Sequence, residues 1–318
     1  MNILVTGGSG FIGSHFIEEY LKRNDVTNLY NLDANTYASN KNLSFEHDNR
    51  YKKLTMDISA AYFPNQKNYF ESLNLDYIIH FAAESHVDNS ITGPKKFIDT
   101  NIIGTFNLLE IFKNINIKKF IHVSTDEVFG SLNYKENEFN IDSPYRPNSP
   151  YAASKAASDL LVRSYVKTYK FPGIITNCSN NFGPRQFAEK LIPVCINKLK
   201  NKEKIPLYGN GENIRDWIYV KDHVNALINV LLDGIVGKQY LIGGNNEISN
   251  IQLIHLIVAT YETVTNKKVD WELFEYVTDR KGHDFRYAID TKDFEIEFPN
   301  FKLSEFNENL ELTIKSYL

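Results

Sequence analysis

Short apolar runs alternate with amphipathic segments through the first half of the chain. The strand-like runs are NILVTGG, VTNLYNLD, KKLTMD, LDYIIHFAA, KKFIHVST and FPGIITNCS. Between them lie helix-like segments, namely FIGSHFIEEYLKR, YFPNQKNYFESLN and the residues 92 to 114 and 150 to 169. Regular alternation of this kind predicts an α/β fold in which a doubly wound parallel sheet carries helices on both faces.

The pattern loosens after residue 180. FAEKLIPVCINKL, DHVNALINVLLDG and NIQLIHLIVATYETV are helix-like, and KQYLIGG is strand-like. We therefore expect a cofactor domain over residues 1–180, to which a strand and a helix near 222–244 return. Residues 181–318 are expected to form mainly a smaller C-terminal α/β lobe that binds the substrate.

Composition narrows the class of protein. The 318 residues carry a formal net charge of −4, with 42% hydrophobic and 23% charged residues, so neither nucleic acid nor a membrane is an expected partner. Two cysteines without metal-ligand spacing fit a reducing compartment, and the cytoplasm is the expected location. The N-terminus shows no signal-peptide pattern, and no metal site is expected.

A glycine triplet follows the first predicted strand. GGSGFIG places Gly7, Gly10 and Gly13 where a helix begins, with Phe11 and Ile12 between them. Missing side chains allow backbone amides and the helix N-terminus to approach a pyrophosphate, as in Rossmann-type domains. The triplet therefore predicts a dinucleotide site, although a tight strand-helix turn is the alternative interpretation.

Acids at two further strand ends complete the predicted cofactor site. Asp33 lies about twenty residues beyond the glycines, where a carboxylate accepts hydrogen bonds from adenosine ribose and disfavours a 2′-phosphate. This favours NAD over NADP, while a loop or capping role is the alternative. Asp57 is predicted to meet the adenine edge, or to be an ordinary strand-end acid. Ile58, Ala82 and Ala83 are the remaining predicted cofactor contacts.

A tyrosine and a lysine are four residues apart in YAASK. Tyr151 and Lys155 lie near a predicted helix start and therefore on one face. An ammonium group and a positive nicotinamide ring would both lower the pKa of the phenol, which makes Tyr151 a candidate general base. Tyr37 and Lys41 share the spacing by chance, since Tyr37 lies in the loop just after the second strand.

The segment STDEVFG sets a hydroxyl and two acids where a predicted core strand ends. Strand ends in an open parallel sheet face the ligand crevice, so Thr125, Asp126 and Glu127 are expected near Tyr151. A simple dehydrogenase needs no such acids, whereas elimination of water needs a base and an acid. The alternative is a helix N-cap followed by a solvated acid.

Seven segments together resemble the nucleotide-sugar 4,6-dehydratases of the extended short-chain dehydrogenase/reductase superfamily. They are GGSGFIG, FAAESHVDNSI, STDEVFG, SPYAASKAASDLLVRSY, TNCSNNFGPRQFAEKLIP, IPLYGNGENIRDWIYVKDH and DRKGHDFRYAID. The resemblance implies a redox-neutral lyase reaction with tightly bound NAD. A hydride leaves sugar C4, water is lost across C5 and C6, and the hydride returns to C6.

The same resemblance implies a role for each catalytic candidate. Tyr151 would remove the C4 hydroxyl proton while Thr125 hydrogen-bonds that oxygen. Lys155 would tune Tyr151 and hold the cofactor ribose. Glu127 would take the C5 proton, and Asp126 would protonate the departing C6 oxygen.

The resemblance also implies the contacts of a nucleotide-diphosphate sugar. Arginines would bind phosphates, an aromatic ring would stack near the base, and polar side chains would lie along the sugar. The residues concerned are Arg215, Arg280, Tyr208, Asn181, Glu189, Lys190 and Ser85. His86 is expected to be a packed or capping residue.

Departures from the family pattern leave the substrate open. Arg185, Ala188 and Phe129 replace residues common in the family, and Arg185 is a candidate for a different sugar substituent. The expected substrate is a dTDP- or UDP-hexose, with dTDP-glucose favoured. The alternatives are UDP-glucose or UDP-N-acetylglucosamine, with or without C5 epimerisation, a UDP-sugar 4-epimerase, or a non-catalytic NAD-binding module. A homodimer is expected through residues 92–114 and 150–169.

Overall fold

A large parallel sheet forms the centre of the protein, of which a computed structural model describes residues 1–280 and 282–318. The strands are β1 (Asn2–Thr6), β2 (Asn28–Asp33), β3 (Tyr51–Thr55), β4 (Tyr77–His80), β5 (Lys119–Thr125), β6 (Gly173–Cys178), β7 (Asn180–Phe182), β8 (Ile205–Tyr208), β9 (Ile214–Tyr219), β10 (Gln239–Ile242), β11 (Glu247–Ser249) and β12 (Phe274–Val277). Within the described residues, seven strands pair in the order β10-β6-β5-β4-β1-β2-β3, and every pairing is parallel.

Helices cover both faces of this sheet. They are α1 (Phe11–Tyr20), α2 (Lys67–Ser72), α3 (Val87–Thr92), α4 (Pro94–Phe97), α5 (Thr105–Phe112), α6 (Pro150–Tyr169), α7 (Leu191–Lys200), α8 (Val220–Asp233), α9 (Asn250–Thr265), α10 (Lys292–Glu297) and α11 (Phe306–Tyr317). One apolar cluster lies against α1 and α8, and a second lies against α5 and α6. The predicted doubly wound α/β sheet is therefore confirmed.

The register of the sheet brings the strand ends to one edge. Thr6 pairs with His80, His80 pairs with His122, and Thr125 pairs with Cys178. Strand order changes direction beside β1, and in open α/β sheets ligands bind in the crevice at such a switch point. The C-terminal ends of the strands therefore define where a site is expected.

Two small sheets stand beyond the carboxyl edge. In the part of the chain that the structure describes, β11, β9 and β7 form one sheet, and β12 and β8 form the other. Helices α7, α9 and α11 pack on them around an apolar cluster that includes Phe182, Trp217, Leu253 and Leu310. Meanwhile β10 pairs with β6, and α8 packs beside α1, although both come late in the chain. The predicted division at residue 180 stays a prediction.

The helical pattern over residues 92–114 is not one regular helix. Gly93 separates α3 from α4, and a wider π-helical turn spans Ile98–Gly104 before α5. Inside this turn the buried Asn101 bonds outside its own helix: its side chain donates to Glu84 O (3.0 Å) and Ser154 Oγ (2.8 Å). No helix in the described part of the chain is long and apolar enough to cross a bilayer.

Candidate active site

A single cavity of about 730 Å³ opens at the carboxyl edge of the large sheet. Apart from Arg185, every residue predicted from the sequence to bind cofactor or substrate, or to take part in catalysis, lines it. They are Gly7, Gly10, Phe11, Ile12, Gly13, Asp33, Asp57, Ile58, Ala82, Ala83, Ser85, Thr125, Asp126, Glu127, Tyr151, Lys155, Asn181, Glu189, Lys190, Tyr208, Arg215 and Arg280. Their individual roles remain predictions.

In the glycine loop the main chain packs closely against neighbouring main-chain atoms. Gly7 has a φ of +69°, and a Cβ there would lie 2.6 Å from the amide nitrogen of Ala82. A Cβ on Gly13 would lie 2.4 Å from Gly7 O. Gly10 precedes the first turn of α1, whose free amides face the cavity end of the loop. The loop therefore fits a pyrophosphate, which needs approach to bare backbone at a helix N-terminus.

Asp33 has the loop role that was its alternative prediction from the sequence, and it also lines the cavity. Its Oδ2 accepts a hydrogen bond from Ser9 N (2.9 Å), and its Oδ1 accepts from Asn35 N (2.8 Å) and Ser39 Oγ (3.0 Å). The carboxylate thus holds the loop after β2 in place and lines the cavity. Asp57 likewise accepts from the amide of Ser59 (2.8 Å) at the cavity wall. Both positions suit contacts to an adenosine moiety.

The two adjacent acids lie in a short 3₁₀ turn directly after β5. The Thr125 hydroxyl caps this turn by accepting from Glu127 N (3.3 Å), and it donates to Asp126 Oδ1 (3.2 Å). Asp126 is only 1% exposed, and its Oδ2 has no hydrogen-bond partner within the described residues. The capping alternative is thus correct for Thr125, whereas a solvated acid at Asp126 is wrong.

Burial and the nearby charges together give the two acids different proton affinities. Burial, and next the charge of Glu127, raises the pKa of Asp126 well above its ordinary value. Burial also raises the pKa of Glu127, but Lys190 and Arg215 act to lower it. Asp126 is therefore suited to hold a proton and Glu127 to accept one, which is the division of labour that an elimination needs.

Tyr151 and Lys155 project from the first turns of α6. This helix begins at Pro150 because Ser149 caps it, accepting from Ala152 N (3.1 Å). Burial, and next the Glu127 carboxylate, raises the pKa of Tyr151, while the Thr125 hydroxyl lowers it. Lys155 donates to Val123 O at 2.8 Å. The predicted lowering of the Tyr151 pKa by Lys155 and a nicotinamide ring stays a prediction.

Three positively charged side chains on the substrate side are fixed by contacts with carbonyl oxygens, a carboxylate and aromatic rings of the protein. Arg215 donates to Ile214 O (2.7 Å) and Asp284 O (2.9 Å), and its guanidinium stands 4.2 Å from the Tyr287 ring centroid. Arg280 lies 3.2 Å from an Asp88 carboxylate oxygen and 5.1 Å from the Tyr208 ring centroid. The third, the Lys190 ammonium, donates to Ser85 O at 2.9 Å. Positive groups fixed in a cavity wall suit a diphosphate.

Sequence reasoning missed several residues of the wall. Gln186, Asp284 and Tyr287 line the cavity, and the last two lie in the quoted segment DRKGHDFRYAID, so they could have been proposed. His86 also lines it and makes no side-chain cap bond at α3, which corrects the expected capping role. Asn181, which was predicted, is held by His223 Nδ1 at 2.9 Å.

Arg185 is not part of this site. Its guanidinium pairs with Glu18 on α1 at 2.7 Å, and the residue is absent from the cavity wall that the structure describes. The hypothesis that Arg185 selects a different sugar substituent is therefore wrong.

The fold and the site together define an NAD-dependent enzyme of the extended short-chain dehydrogenase/reductase class. The family described as GDP-mannose 4,6 dehydratase matches residues 4–299. A dTDP-glucose 4,6-dehydratase of Haemophilus influenzae is 43% identical over 332 residues, covering 100% of this chain and 98% of that protein. The chain therefore belongs to the dTDP-glucose 4,6-dehydratase family.

Solved structures agree with this assignment. A dTDP-glucose 4,6-dehydratase from Streptomyces venezuelae, solved with NAD bound, superposes with a TM-score of 0.92 at 40% identity and covers 100% of this chain and 97% of its own. A UDP-glucose 4-epimerase from Thermotoga maritima reaches a TM-score of 0.88 at only 26% identity, covering 100% of this chain and 98% of its own. The comparisons therefore favour a dehydratase over the predicted alternatives.

Proposed function

We propose that this protein is an NAD-dependent dehydratase that converts dTDP-glucose to its 4-keto-6-deoxy product. The observation that carries the proposal is the pair of neighbouring acids in the same cavity as Tyr151, of which Asp126 is buried and Glu127 is half-buried. A 4-epimerase shares the tyrosine and the cofactor but has no use for two carboxyl groups that differ in proton affinity. Water elimination uses both.

The first half of the cavity suits NAD. The glycine loop offers amides to the pyrophosphate, Asp33 faces the adenosine end, and Lys155 would donate to the nicotinamide ribose. Ser124 and Ser179 also line the cavity. When bound, NAD accepts a hydride from sugar C4 and gives it back to C6.

Three side chains move the protons, and a fourth hydrogen-bonds the C4 oxygen. Tyr151 accepts the proton of the C4 hydroxyl, and Thr125 hydrogen-bonds the same oxygen. The resulting ketone makes the C5 proton acidic because the carbanion is stabilised as an enolate, so the carboxylate of Glu127 suffices as the base. Asp126 then donates its proton to the C6 oxygen, which departs as water, and Glu127 returns a proton to C5 when the hydride is added to C6.

The second half of the cavity suits the nucleotide diphosphate. Arg215 and Arg280 would bind the phosphates, and Tyr208 would stack near the base. The remaining polar groups would lie along the sugar and diphosphate, namely Asn181, Glu189, Lys190 and Ser85. We assign the cofactor domain to residues 1–180 with the returning α8 and β10, and the substrate lobe mainly to residues 181–318.

A product assay tests this function. The purified protein is incubated separately with dTDP-glucose, UDP-glucose and UDP-N-acetylglucosamine, and the products are resolved by NMR. We expect dTDP-4-keto-6-deoxyglucose, with the near-ultraviolet absorbance of a 4-keto sugar in alkali, and far slower turnover of both UDP-sugars. A product that is only the C4 epimer would contradict the proposal, as would NAD binding without turnover.

We also propose that the protein acts as a homodimer in the cytoplasm. Five large apolar side chains on the helical segments 94–112 and 150–169 are between 40% and 54% exposed, which suits burial against a second copy. They are Ile98, Ile103, Phe106, Leu160 and Tyr169. Two free, buried cysteines fit a reducing compartment.

A further inference from the structure

Helix α6 carries a third buried functional group beside the tyrosine and the lysine. Tyr151, Lys155 and Asp159 follow one another at intervals of four residues, and each is less than a tenth exposed. Side chains at this spacing lie on one face of a helix. Asp159 is 1% exposed and does not line the described cavity wall, so the proposed proton transfers leave it without a role.

The Asp159 carboxylate has neutral partners. Its Oδ2 accepts from Tyr145 OH (3.0 Å) and Asn177 Nδ2 (3.1 Å). Its Oδ1 lies 3.2 Å from His122 Nε2, which also lies 3.1 Å from Ser158 Oγ. Among residues 1–280 and 282–318, no lysine or arginine forms an ion pair with Asp159. A carboxylate that is buried and charged, and that forms no direct ion pair, requires a positive charge nearby.

Lys155 lies one helical turn before Asp159 on the same buried face of α6 and is the cation that interacts with it, without a direct ion pair. The titratable groups that face it are Asp159 on its own helix, Cys178 on β6, His122 on β5 and His80 on β4. Burial lowers the pKa of Lys155, and Asp159 raises it, more than Cys178 does. Burial also lowers the pKa of His122 to about 4 and raises the pKa of Cys178 to about 12. At neutral pH the histidine and the thiol are uncharged, which leaves the carboxylate as the countercharge.

A second link runs from Asp159 to the catalytic turn. The Asn177 amide that donates to Asp159 also donates to Thr125 O at 3.0 Å, and its oxygen accepts from Gln239 Nε2 at 2.7 Å. Asn177 therefore connects the end of β5, directly before the two acids, to α6, whose first turns carry Tyr151 and Lys155. The carboxylate stands at the junction of the two catalytic elements.

We propose that Asp159 is a positioning residue for the reaction, whose buried carboxylate is the countercharge of Lys155 one helical turn away and, through Asn177, fixes the main chain at Thr125. The catalytic part of this inference rests on the proposed function. The inference nevertheless concerns cofactor binding too, because the charged lysine is the donor to the nicotinamide ribose. Two measurements can therefore test it separately.

The first measurement is NADH affinity as a function of pH, followed by NADH fluorescence in Asp159→Asn and the unchanged protein. Removal of the carboxylate lowers the Lys155 pKa, so the alkaline loss of affinity should move down by about one to three pH units, the usual effect of one adjacent charge. Asp222→Asn is the matched control, since that buried carboxylate holds Ser304 far from the site and its change should leave the profile in place. Superimposable profiles for all three proteins would overturn the inference.

The second measurement is the pH profile of dTDP-glucose turnover. Asp159→Asn should shift the alkaline limb of kcat in the same direction, whereas a merely structural role would lower kcat at every pH without a shift. Asn177→Ala should lower kcat with little change in KM and no shift of that limb, and an unchanged kcat would refute the link to Thr125. Absence of turnover in the unchanged protein would refute the proposed function and leave the NADH profiles as the test of Asp159.

A paired variant covers the case in which Asp159→Asn fails to fold. Lys155→Met leaves the carboxylate buried without its cation, so the thermal midpoint Tm should fall. Adding Asp159→Asn to Lys155→Met should then raise Tm, because the uncompensated charge is gone. A double variant that is less stable than Lys155→Met would show that Asp159 is not the partner of Lys155.

Discussion

At the scale of single residues, two neighbouring acids acquire different chemistry from their surroundings. Asp126 and Glu127 have similar ordinary pKa values, yet Asp126 is enclosed and faces the negative charge of Glu127. Glu127 lies where Lys190 and Arg215 oppose the effect of burial. The sequence could place both acids at a strand end, but the burial and the cations come from distant segments, so the assignment of acid and base needed the structure or a resemblance.

Replacement of Glu127 tests its role as the C5 base. Glu127→Gln keeps the shape of the side chain but removes the carboxylate, so turnover should fall by about 10²–10⁴-fold, the usual range for a general base. Bound NAD and oxidation at C4 should remain, giving NADH absorbance on mixing with dTDP-glucose. Exchange of solvent deuterium into C5 is the measurement. The exposed Glu272 provides the control Glu272→Gln, and unchanged exchange in Glu127→Gln would remove Glu127 from the mechanism.

At the scale of elements, local sequence signals predicted where helix α6 begins and ends, whereas tertiary contacts altered the helix expected over residues 92–114. Helix α6 has the bounds expected from the sequence, because Ser149 caps it, Pro150 suits its first turn and Lys170 ends it in a left-handed conformation. The pattern over residues 92–114 gave no sign of the π-helical turn. There the Asn101 side chain is bonded to Glu84 and Ser154 from other parts of the chain, which no local pattern reports.

The β1–α1 turn offers a test at this scale. In Gly13→Ala the added Cβ would lie 2.4 Å from Gly7 O, a backbone atom that cannot rotate away, so the loop must open. We expect the purified variant to retain little NAD, measured by absorbance after denaturation, and to have a lower Tm. Gly93→Ala is the control, because its nearest neighbour would be 3.6 Å away, and it should retain NAD. Full NAD content in Gly13→Ala would show that the loop does not hold the pyrophosphate.

At the scale of the whole molecule, the site joins parts that are far apart in sequence. Thr125 and Tyr151 come from the large sheet and its helix, whereas Arg215 and Arg280 come from the second half of the chain. The regular alternation of strand-like and helix-like segments made the large sheet predictable. In the second half of the chain the looser pattern predicted individual helices and strands but not how they are arranged. For that half only the family resemblance identified the residues. The hypothesis drawn from a departure from the family pattern, at Arg185, was wrong because this side chain forms an ion pair with Glu18 on α1.

The exposed apolar face formed by the π-helical turn, α5 and α6 is also a feature of the whole molecule. Leu160 is 54% exposed in the middle of α6, and a glutamate there would place a charge in the proposed dimer interface. Leu160→Glu should therefore halve the mass measured by light scattering at micromolar concentration, since an unpaired buried charge is strongly unfavourable. Ile296→Glu changes an even more exposed residue (77%) on α10, away from this face, and should leave the mass unchanged. Equal masses for both variants and the unchanged protein would show that any dimer forms elsewhere.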